Sequence, residues 1–333
     1  METVHCSAPG RCGIIGNPTD MYGGTVISCS IDFRAHVCVE PCDQLRLEVA
    51  GQETVIESAD DLILNGDDFD VARAILDYFR EDDLRYKISY WTDIPIRAGV
   101  AGSTALTVAM LYALLHLQGV DYSRYQVAEL ARYIELNHLR VVCGYQDAYM
   151  CTFGGLNYMD FRGKQFYREA SEELYATVEP LERYVPALPF VLAHTGASHS
   201  SDAVHKPLRE RWLEGEREVH EGYERISYLA REGKKALLAG NWARLGQLMN
   251  ENHAIQRDLG GSGEANEHLI HVALEHGALG AKLAGAGQGG TIIALHPQPG
   301  EMIAALREAG SEKIFFPTPR PGVQLEPQEE ETA

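Results

Sequence analysis

The sequence predicts an α+β protein with two domains. Its 333 residues are 45% hydrophobic, which is enough for two separate cores. Short alternating runs in residues 3–50 are typical of strands in a sheet with one wet face, whereas later segments repeat their apolar residues at helical spacing. Pro180, Pro186 and Pro189 accompany a change of pattern, which indicates a boundary between the domains.

Periodicity predicts the individual elements in chain order. Strands are expected at residues 4–8, 25–31, 35–40, 45–49, 86–91, 190–195 and 291–295. Helices are expected at residues 68–80, 105–117 and 126–139, and across 203–255 with a break near Gly240. The segment 105–117 is apolar almost all round, which is typical of a buried helix. Residues 9–24 are rich in Gly, Pro and Asn, which predicts a loop. The Gly-Gly pair at 154–155 predicts a turn into a strand.

The charge of the chain restricts its partners. Lys and Arg total 29 against 48 Asp and Glu, which gives a formal net charge of −19. A surface this negative disfavours broad contact with nucleic acid or an anionic membrane, so an anionic substrate needs a local positive site. No apolar run approaches the ~20 residues of a membrane span, and Pro9, Arg11 and Pro18 stand where a signal peptide needs an apolar segment. We therefore expect a cytoplasmic protein that binds neither membrane nor nucleic acid.

The cysteines and histidines give little sign of a metal centre. Seven Cys form no Cys-x-x-Cys pair, which fits reduced thiols in a chain of this size. Cys38 and Cys42 have a spacing compatible with zinc, but no second pair accompanies them, so a structural role is favoured. The His residues are too scattered to indicate a metal.

Residues 93–107 have the pattern of a helix start that is open to an anion. Glycines allow the loop to bend, hydroxyls follow at its exit, and the apolar segment 108–117 continues as a helix. The start of a helix carries unpaired N–H groups and roughly +0.5 charge, which favour a phosphate. The alternative is that Gly99, Gly102 and Ser103 only turn the chain and cap a core helix.

Residues 285–290, Gly-Ala-Gly-Gln-Gly-Gly, form a second candidate nucleotide loop. A dinucleotide fingerprint needs a strand before it and a helix after it. Here we expect a helical segment before the loop and a strand after it, which disfavours that motif. A Gly-x-x-x-x-Gly-Lys-Ser/Thr phosphate loop does not occur in the chain.

The chain thus has three glycine-bearing loops, at residues 9–24, 93–107 and 285–290. Their sequences and order resemble the three signature motifs of the GHMP kinases. This family is named for galactokinase, homoserine kinase, mevalonate kinase and phosphomevalonate kinase. The resemblance spans nearly the whole chain. It implies an N-terminal ATP-binding domain (1–182) with a ribosomal-protein-like mixed sheet and a ferredoxin-like C-terminal domain (183–322), with the active site between them. Residues 323–333 are expected to be a disordered acidic tail.

Within the family the chain is most similar to the glucuronokinase-like branch, with the heptose-phosphate kinases near it. Residues 16–24 read Gly-Asn-Pro-Thr-Asp-Met-Tyr-Gly-Gly, whereas galactokinases have Glu-His where this chain has Asn17-Pro18. Residues 144–149, 155–161 and 201–212 are similar to that branch too. The second motif departs from many relatives, because Ala101 adds a Cβ that would crowd a close phosphate.

The resemblance also implies roles for individual residues. Asp147, four residues after the Cys of a Cys-Gly-x-x-Asp pattern, would be the catalytic aspartate, with Arg11 near the transferred phosphate. ATP phosphates would be held by Gly99, Ala101, Gly102, Ser103 and Thr104, and Mg²⁺ by Glu135, Ser103 and Thr104. The substrate would contact Asn17, Asp20, Tyr22, Gly23, Gly24, Arg97, Gly287, Gly289 and Gly290, beside Gly285. A substrate carboxylate or phosphate would pair with Arg97 or with Lys206, Arg209 or Arg211. The alternatives are a turn-stabilising Asp147, a helix-surface Glu135 and surface ion pairing of the last three basic residues.

The expected function is phosphorylation of a sugar or sugar acid by ATP and Mg²⁺, at the anomeric hydroxyl, with glucuronate as the leading substrate. Alternatives within the family are a heptose phosphate, galactose, arabinose or an isoprenoid acid. An alternative of another class is a nucleotide-binding sensor that has lost turnover. The protein is expected to be a monomer or homodimer whose partner is a small molecule.

Overall fold

The structure, a computed structural model, describes residues 3–80, 84–95, 98–164, 174–196, 201–285, 287 and 290–327; the side chains of residues 201–206 are not described. The described residues form two sheets, each packed against helices, in a mixed α/β arrangement. The predicted two-sheet α+β architecture is therefore confirmed. Arg97 and Gly289 lie outside the described residues, as does the side chain of Lys206.

In the part of the chain that the structure describes, the first sheet has eight strands. They are β1 (Val4–Ile15), β2 (Thr25–Pro41), β3 (Leu45–Val49), β4 (Gln52–Ile56), β5 (Tyr86–Thr92), β6 (Leu156–Asp160), β7 (Thr177–Pro180) and β12 (Gln324–Leu325). Their main order is β12-β1-β2-β5-β3-β4, and β6 pairs with both β2 and β7. The β3–β5 pair is parallel and the other pairs are antiparallel, so the sheet is mixed as expected.

Four helices accompany this sheet. They are α1 (Asp70–Phe79), α2 (Gly102–Leu117), α3 (Arg124–Asn137) and α4 (Gln146–Phe153). Helix α2 packs on β1, β2, α3 and α4, and its apolar residues are buried on nearly every face, which confirms the predicted buried helix. The first residue of α2, Gly102, lies within the glycine-bearing stretch 93–107, so the core of the domain holds this helix start in place.

The second sheet has four antiparallel strands. They are β8 (Phe190–His194), β9 (Gly280–Leu283), β10 (Thr291–Leu295) and β11 (Lys313–Phe315), in the order β11-β8-β10-β9. Its helices are α5 (Ser201–Leu213), α6 (Arg217–Leu238), α7 (Trp242–Asp258), α8 (Glu264–Glu275) and α9 (Met302–Glu308). Helices precede β9 and β11, whereas β9 and β10 are joined directly, which is the split βαβ order of ferredoxin-like domains.

Several predicted elements differ from the observed ones. Strand β1 continues through residues 9–15, the first part of the predicted loop, and register shifts near Pro9 and Gly13 accommodate these residues. Residues 25–31 and 35–40 belong to one long strand, and the helical region 203–255 has a second break at residues 214–216. The segment before the 285–290 loop is strand β9 and not a helix, so this loop joins two strands.

The prediction of a disordered tail from residue 323 is wrong for residues 323–327. Val323 is buried, and β12 pairs with β1 through Leu325 opposite Cys6. The chain already returns to the first sheet at Pro317, which bridges to Ile31. Residues 328–333 lie outside the described residues.

In the described part of the chain, every helix is too short or too polar to cross a lipid bilayer.

Candidate active site

The three glycine loops meet where the two sheets approach each other. We call residues 16–24 the first loop, 98–101 the second and 284–290 the third. The third loop is linked to β1 by a hydrogen bond from the Gly13 amide to Ala284 O (2.8 Å). Its contact with the second loop is close, because a Cβ built on Gly285 would lie 2.2 Å from Gly99 O. Only glycine permits this approach of two backbones.

Arg11 and Asp147 form an ion pair beside the second loop. Arg11 donates from Nε to Asp147 Oδ1 (2.7 Å), and its terminal nitrogen NH2 lies 2.6 Å from the same oxygen. Its other terminal nitrogen donates to Gly99 O (2.7 Å). Burial lowers the pKa of Arg11, but the Asp147 carboxylate, together with smaller contributions that include the charge of Asp20, raises it overall, so the guanidinium stays charged. The pair holds one positive and one negative group beside the second loop.

The Asp147 carboxylate remains partly open to solvent although its partner is buried. Its side chain is 31% exposed, against 7% for that of Arg11. Asp147 lies in the first turn of α4, where the helix dipole favours a carboxylate. Its accessibility leaves room for a second hydrogen-bond partner, which a turn-stabilising aspartate would not need.

Thr104 and Glu135 form a second polar pair, on the facing helices α2 and α3. Thr104 Oγ1 donates to the Glu135 carboxylate at 2.8 Å and 3.1 Å. Glu135 is 3% exposed, so it is not the helix-surface acid of the alternative interpretation. Burial raises the pKa of Glu135 to about 8, while the Thr104 hydrogen bond opposes the shift. A cation beside this buried carboxyl would favour its charged form.

These residues fit a magnesium ion. Magnesium prefers oxygen ligands and needs only one or two carboxylates when phosphates and water complete its shell. Glu135 supplies a buried carboxylate, and Thr104 supplies a hydroxyl beside it. Among the described residues, no group of three or more His, Cys, Asp and Glu side chains forms a metal cluster, so such an ion would depend on phosphates as well.

The second loop and the start of α2 carry the remaining predicted phosphate contacts. Ala101 lies at the N-cap position with φ 66°, a left-handed conformation that costs an L-residue roughly 1–2 kcal/mol. Ser103 is exposed in the first turn of α2, and Gly102 is half-buried. The first-turn amides of α2 have no side-chain cap from Ala101. This arrangement is the open helix start that the sequence predicts, and phosphate binding by Gly99, Ala101, Gly102 and Ser103 stays a prediction.

The first loop has a more structural role than expected. Asn17 is buried and donates to Gly285 O (3.1 Å), which links the first loop to the third. We therefore assign the Asn17 side chain to the scaffold and no longer to the substrate. Asp20 accepts hydrogen bonds from backbone amides at the start of α4. Tyr22 stacks on Tyr223 of α6 with ring centroids 4.6 Å apart.

The predicted glycine contacts lie where the loops turn. Gly23 (φ 73°) ends the short helical turn of the first loop, and the Gly24 amide donates to Thr19 O (2.8 Å). Gly287 and Gly290 belong to the third loop, with Gly290 O accepting from the Thr195 amide (2.8 Å). Their contact with substrate stays a prediction.

The basic residues of α5 separate into different roles. Arg211 pairs with Glu216 through Nε (2.7 Å) and donates to Leu259 O (2.7 Å). The ion pair with Glu216 is the kind of contact that the alternative interpretation predicts for this residue. Arg209 is half-buried, and its charge acts on the Tyr22 hydroxyl of the first loop. Arg209 therefore remains the candidate for a substrate anion.

Sequence reasoning missed Lys282 of β9. The side chain is fully buried, and its amine donates to Asn17 Oδ1 (2.7 Å) and to Leu283 O. It thus joins β9 to the first loop. Burial lowers the pKa of Lys282 to about 7, and the charge of Arg11 adds to the shift. The sequence does contain a sign of this residue, because Lys282 is the charged residue within the otherwise apolar run 279–283. Interpreting the run as helical hid its significance.

Replacing Lys282 by Met is expected to change the pH dependence of stability. The pKa of Lys282 is about 7 in the folded protein, against 10.5 for a lysine in an unfolded chain, so the folded state binds fewer protons between these values. The free energy of unfolding of the wild type, relative to Lys282→Met, should therefore rise by up to ~1.4 kcal/mol per pH unit from pH 7 towards 10. Thermal melts at pH 6, 7.5 and 9 measure this difference. A difference that is constant with pH would contradict the proposed burial of the amine.

The chain matches known proteins over most of its length. The GHMP kinases N terminal domain matches residues 69–155, the GHMP kinases C terminal domain matches 234–313, and the galactokinase galactose-binding signature matches 2–41. The chain is 28% identical over 344 residues to mevalonate kinase of Thermococcus sibiricus, covering 97% of this chain and 98% of that protein. It is 29% identical over 332 residues to probable glucuronokinase 2 of Arabidopsis thaliana, covering 93% and 88%.

A solved structure is similar to the fold as a whole. Galactokinase of Lactococcus lactis, complexed with galactose, superposes with a TM-score of 0.75 at 19% identity, covering 97% of this chain and 95% of that one. The N- and C-terminal domain matches each carry one wall of the loop cluster described above. The chain therefore belongs to the GHMP kinases, a family of ATP-dependent phosphotransferases that act on hydroxyl groups.

Proposed function

We propose that this protein transfers the γ-phosphoryl group of ATP, with Mg²⁺, to a sugar or sugar acid, at the anomeric hydroxyl, and that glucuronate is the leading substrate. The observation that carries the proposal is the Arg11–Asp147 pair, which lies beside the second loop and keeps its carboxylate partly exposed. A carboxylate beside a fixed guanidinium is suited to orient a hydroxyl and to stabilise charge on a transferring phosphoryl group.

In this mechanism Asp147 accepts a hydrogen bond from the acceptor hydroxyl and receives its proton as the oxygen attacks phosphorus. Arg11 holds the carboxylate in place and supplies positive charge near the transferring group. The second loop and the start of α2 present backbone amides to the phosphates. Magnesium, held by Glu135 and Thr104, would neutralise phosphate charge when bound.

A sugar is favoured over an isoprenoid acid by the first 41 residues. They match a galactose-binding signature, which includes Asp20 and Tyr22 of the first loop. Relatives at nearly the same identity include both glucuronokinases and mevalonate kinases, so identity alone does not choose between the two acceptors. Both glucuronate and mevalonate carry a carboxylate, and Arg209, whose charge acts on the Tyr22 hydroxyl, is our candidate to bind it.

The proposal is tested by measuring ADP release with a panel of acceptors. The panel contains glucuronate, galacturonate, galactose, arabinose, a heptose phosphate and mevalonate, each with ATP and Mg²⁺. We expect the largest kcat/KM with glucuronate, and we expect Arg209→Gln to raise the KM for glucuronate more than the KM for galactose. The matched control is Arg217→Gln, because Arg217 is exposed on α6 and pairs with Glu221.

If mevalonate has the largest kcat/KM, the assigned substrate would be an isoprenoid acid and not a sugar, and the phosphoryl-transfer reaction would be the same. An unchanged KM for glucuronate in Arg209→Gln, with galactose turned over as efficiently as glucuronate by the wild type, would remove the carboxylate from substrate recognition. Absence of ADP release with every acceptor would count against a kinase for any of these substrates.

A further inference from the structure

Asp20 makes a contact that the expected binding of sugar hydroxyls does not explain. Its Oδ2 atom accepts hydrogen bonds from the backbone amides of Tyr145 (2.7 Å) and Gln146 (2.9 Å). These are amides at the start of α4, and Tyr145, the N-cap residue, provides no side-chain cap of its own. Asp20 is 5% exposed. A residue from the first loop therefore caps a helix that begins 126 residues later in the chain.

Gly144 makes room for this contact. A Cβ built on Gly144 would lie 1.9 Å from Asp20 Oδ2 and 2.8 Å from its Cγ. Gly144 does not have a positive φ, so an alanine could adopt its backbone conformation. What excludes a side chain at this position is the Asp20 carboxylate.

The first loop holds Asp20 firmly in this position. Thr19 Oγ1 donates to Gly16 O (2.8 Å), and the Gly24 amide donates to Thr19 O (2.8 Å). The Gly16 amide is held in turn by Asn252 of α7 (2.9 Å). The cap is thus anchored through the loop to the second domain.

The two capped amides lie immediately before Asp147. Asp147 is the second residue of α4, and its carboxylate is bonded to Arg11. A change in the first turn of α4 would move this carboxylate relative to the second loop. Asp20 also lies close enough for its charge to act on Arg11. The contacts form a continuous path from Asp20 through the first turn of α4 to the ion pair.

We propose that Asp20 is a positioning residue for the reaction: by capping α4 it fixes the orientation of Asp147, so that the loop expected to hold the sugar also sets the geometry of the catalytic carboxylate. The reaction in this inference rests on the proposed function. The helix cap does not depend on that function, and it can be measured without any substrate.

The first experiment is amide hydrogen exchange on the ligand-free protein. Asn caps helices about as well as Asp, whereas Ala does not. We therefore expect exchange of the Tyr145 and Gln146 amides to accelerate by about tenfold in Asp20→Ala and to stay close to wild type in Asp20→Asn. Unchanged exchange in Asp20→Ala would overturn the cap, whether or not any substrate has been found.

The second experiment divides kcat from KM, with glucuronate and Mg-ATP as the probe. If Asp20 only binds the sugar, both variants should have a raised KM. A positioning residue should lower kcat by about tenfold or more in Asp20→Ala, with Asp20→Asn retaining several-fold more kcat than Asp20→Ala. If the two variants lose kcat equally while the Tyr145 and Gln146 amides of Asp20→Asn stay protected, the loss is caused by the missing charge of Asp20. This result would overturn positioning by the cap.

Gly144→Ala provides a variant that keeps Asp20 itself. Its methyl group should displace the Asp20 carboxylate, accelerate exchange at Tyr145 and lower kcat in the same direction as Asp20→Ala. Gly300→Ala is the matched control, because a Cβ at Gly300 meets nothing within 4 Å. Wild-type kcat and exchange in a folded Gly144→Ala protein would overturn the proposal.

Discussion

Asp147→Asn should lower kcat by ~10²-fold or more while leaving the protein folded. The amide keeps the size of the side chain and one oxygen for Arg11, but it cannot receive the proton of the acceptor hydroxyl. It also removes the negative charge that orients Arg11 through its 2.7 Å hydrogen bond. The measurement is steady-state ADP release with the best acceptor of the panel, together with a thermal melt.

Asp258→Asn is the matched control for this variant. Asp258 is exposed at the end of α7 and pairs only with the neighbouring Arg257 among the described contacts, so its replacement should leave kcat unchanged. Binding of ATP to Asp147→Asn should persist, because the second loop and the start of α2 are intact. An unchanged kcat in folded Asp147→Asn would remove Asp147 from the role of base.

Glu135→Gln should raise the Mg²⁺ concentration needed for half-maximal activity by ~10-fold or more. Glu135 is the carboxylate of the proposed magnesium site, and losses of ~10–100-fold in metal affinity follow even the removal of groups that only orient ligands. The amide can still accept the Thr104 hydrogen bond, so the local structure should be retained. Titration of activity with Mg²⁺ measures the effect, and Glu275→Gln, at an exposed site on α8, is the control.

The same variant should be more stable than the wild type at neutral pH when divalent metal is absent. Burial raises the pKa of Glu135 from 4.5 to about 8, so the folded state retains a proton that the unfolded state has lost between these values. Wild-type stability therefore falls as pH rises through this window, by up to ~1.4 kcal/mol per pH unit, and Gln escapes the loss. The stability gain of Glu135→Gln in EDTA should be small at pH 5 and larger at pH 8. A gain that does not change with pH would contradict the burial of a titrating carboxyl.

The elements that the sequence predicts well are long apolar runs and segments with a clear helical period. Helix α2 is apolar all round, and α1 repeats its apolar residues at helical spacing, so both follow from local pattern. The run 279–283 has no such period, because every residue of β9 is buried. A short apolar run of this kind is compatible with either a buried strand or a helix, and the error there concealed Lys282.

The candidate site depends on contacts that no local pattern contains. Arg11 and Asp147 are 136 residues apart, and only the resemblance to a family brought them together before the structure did. Asp20 was expected in the substrate site from its motif, but its contact with the start of α4 is visible only in three dimensions. Local sequence gives no reason for a glycine at position 144, whereas the contact of Gly144 with Asp20 explains why a side chain is excluded.

The most direct test of the account is phosphorus NMR of a single reaction containing ATP, Mg²⁺ and glucuronate. We predict the appearance of ADP and, in equal amount, one phosphate ester coupled to the anomeric proton, with neither product formed by Asp147→Asn. ATP that binds to the protein but gives no phosphate ester with any acceptor of the panel would contradict the account, and would favour a nucleotide-binding sensor built on the same fold.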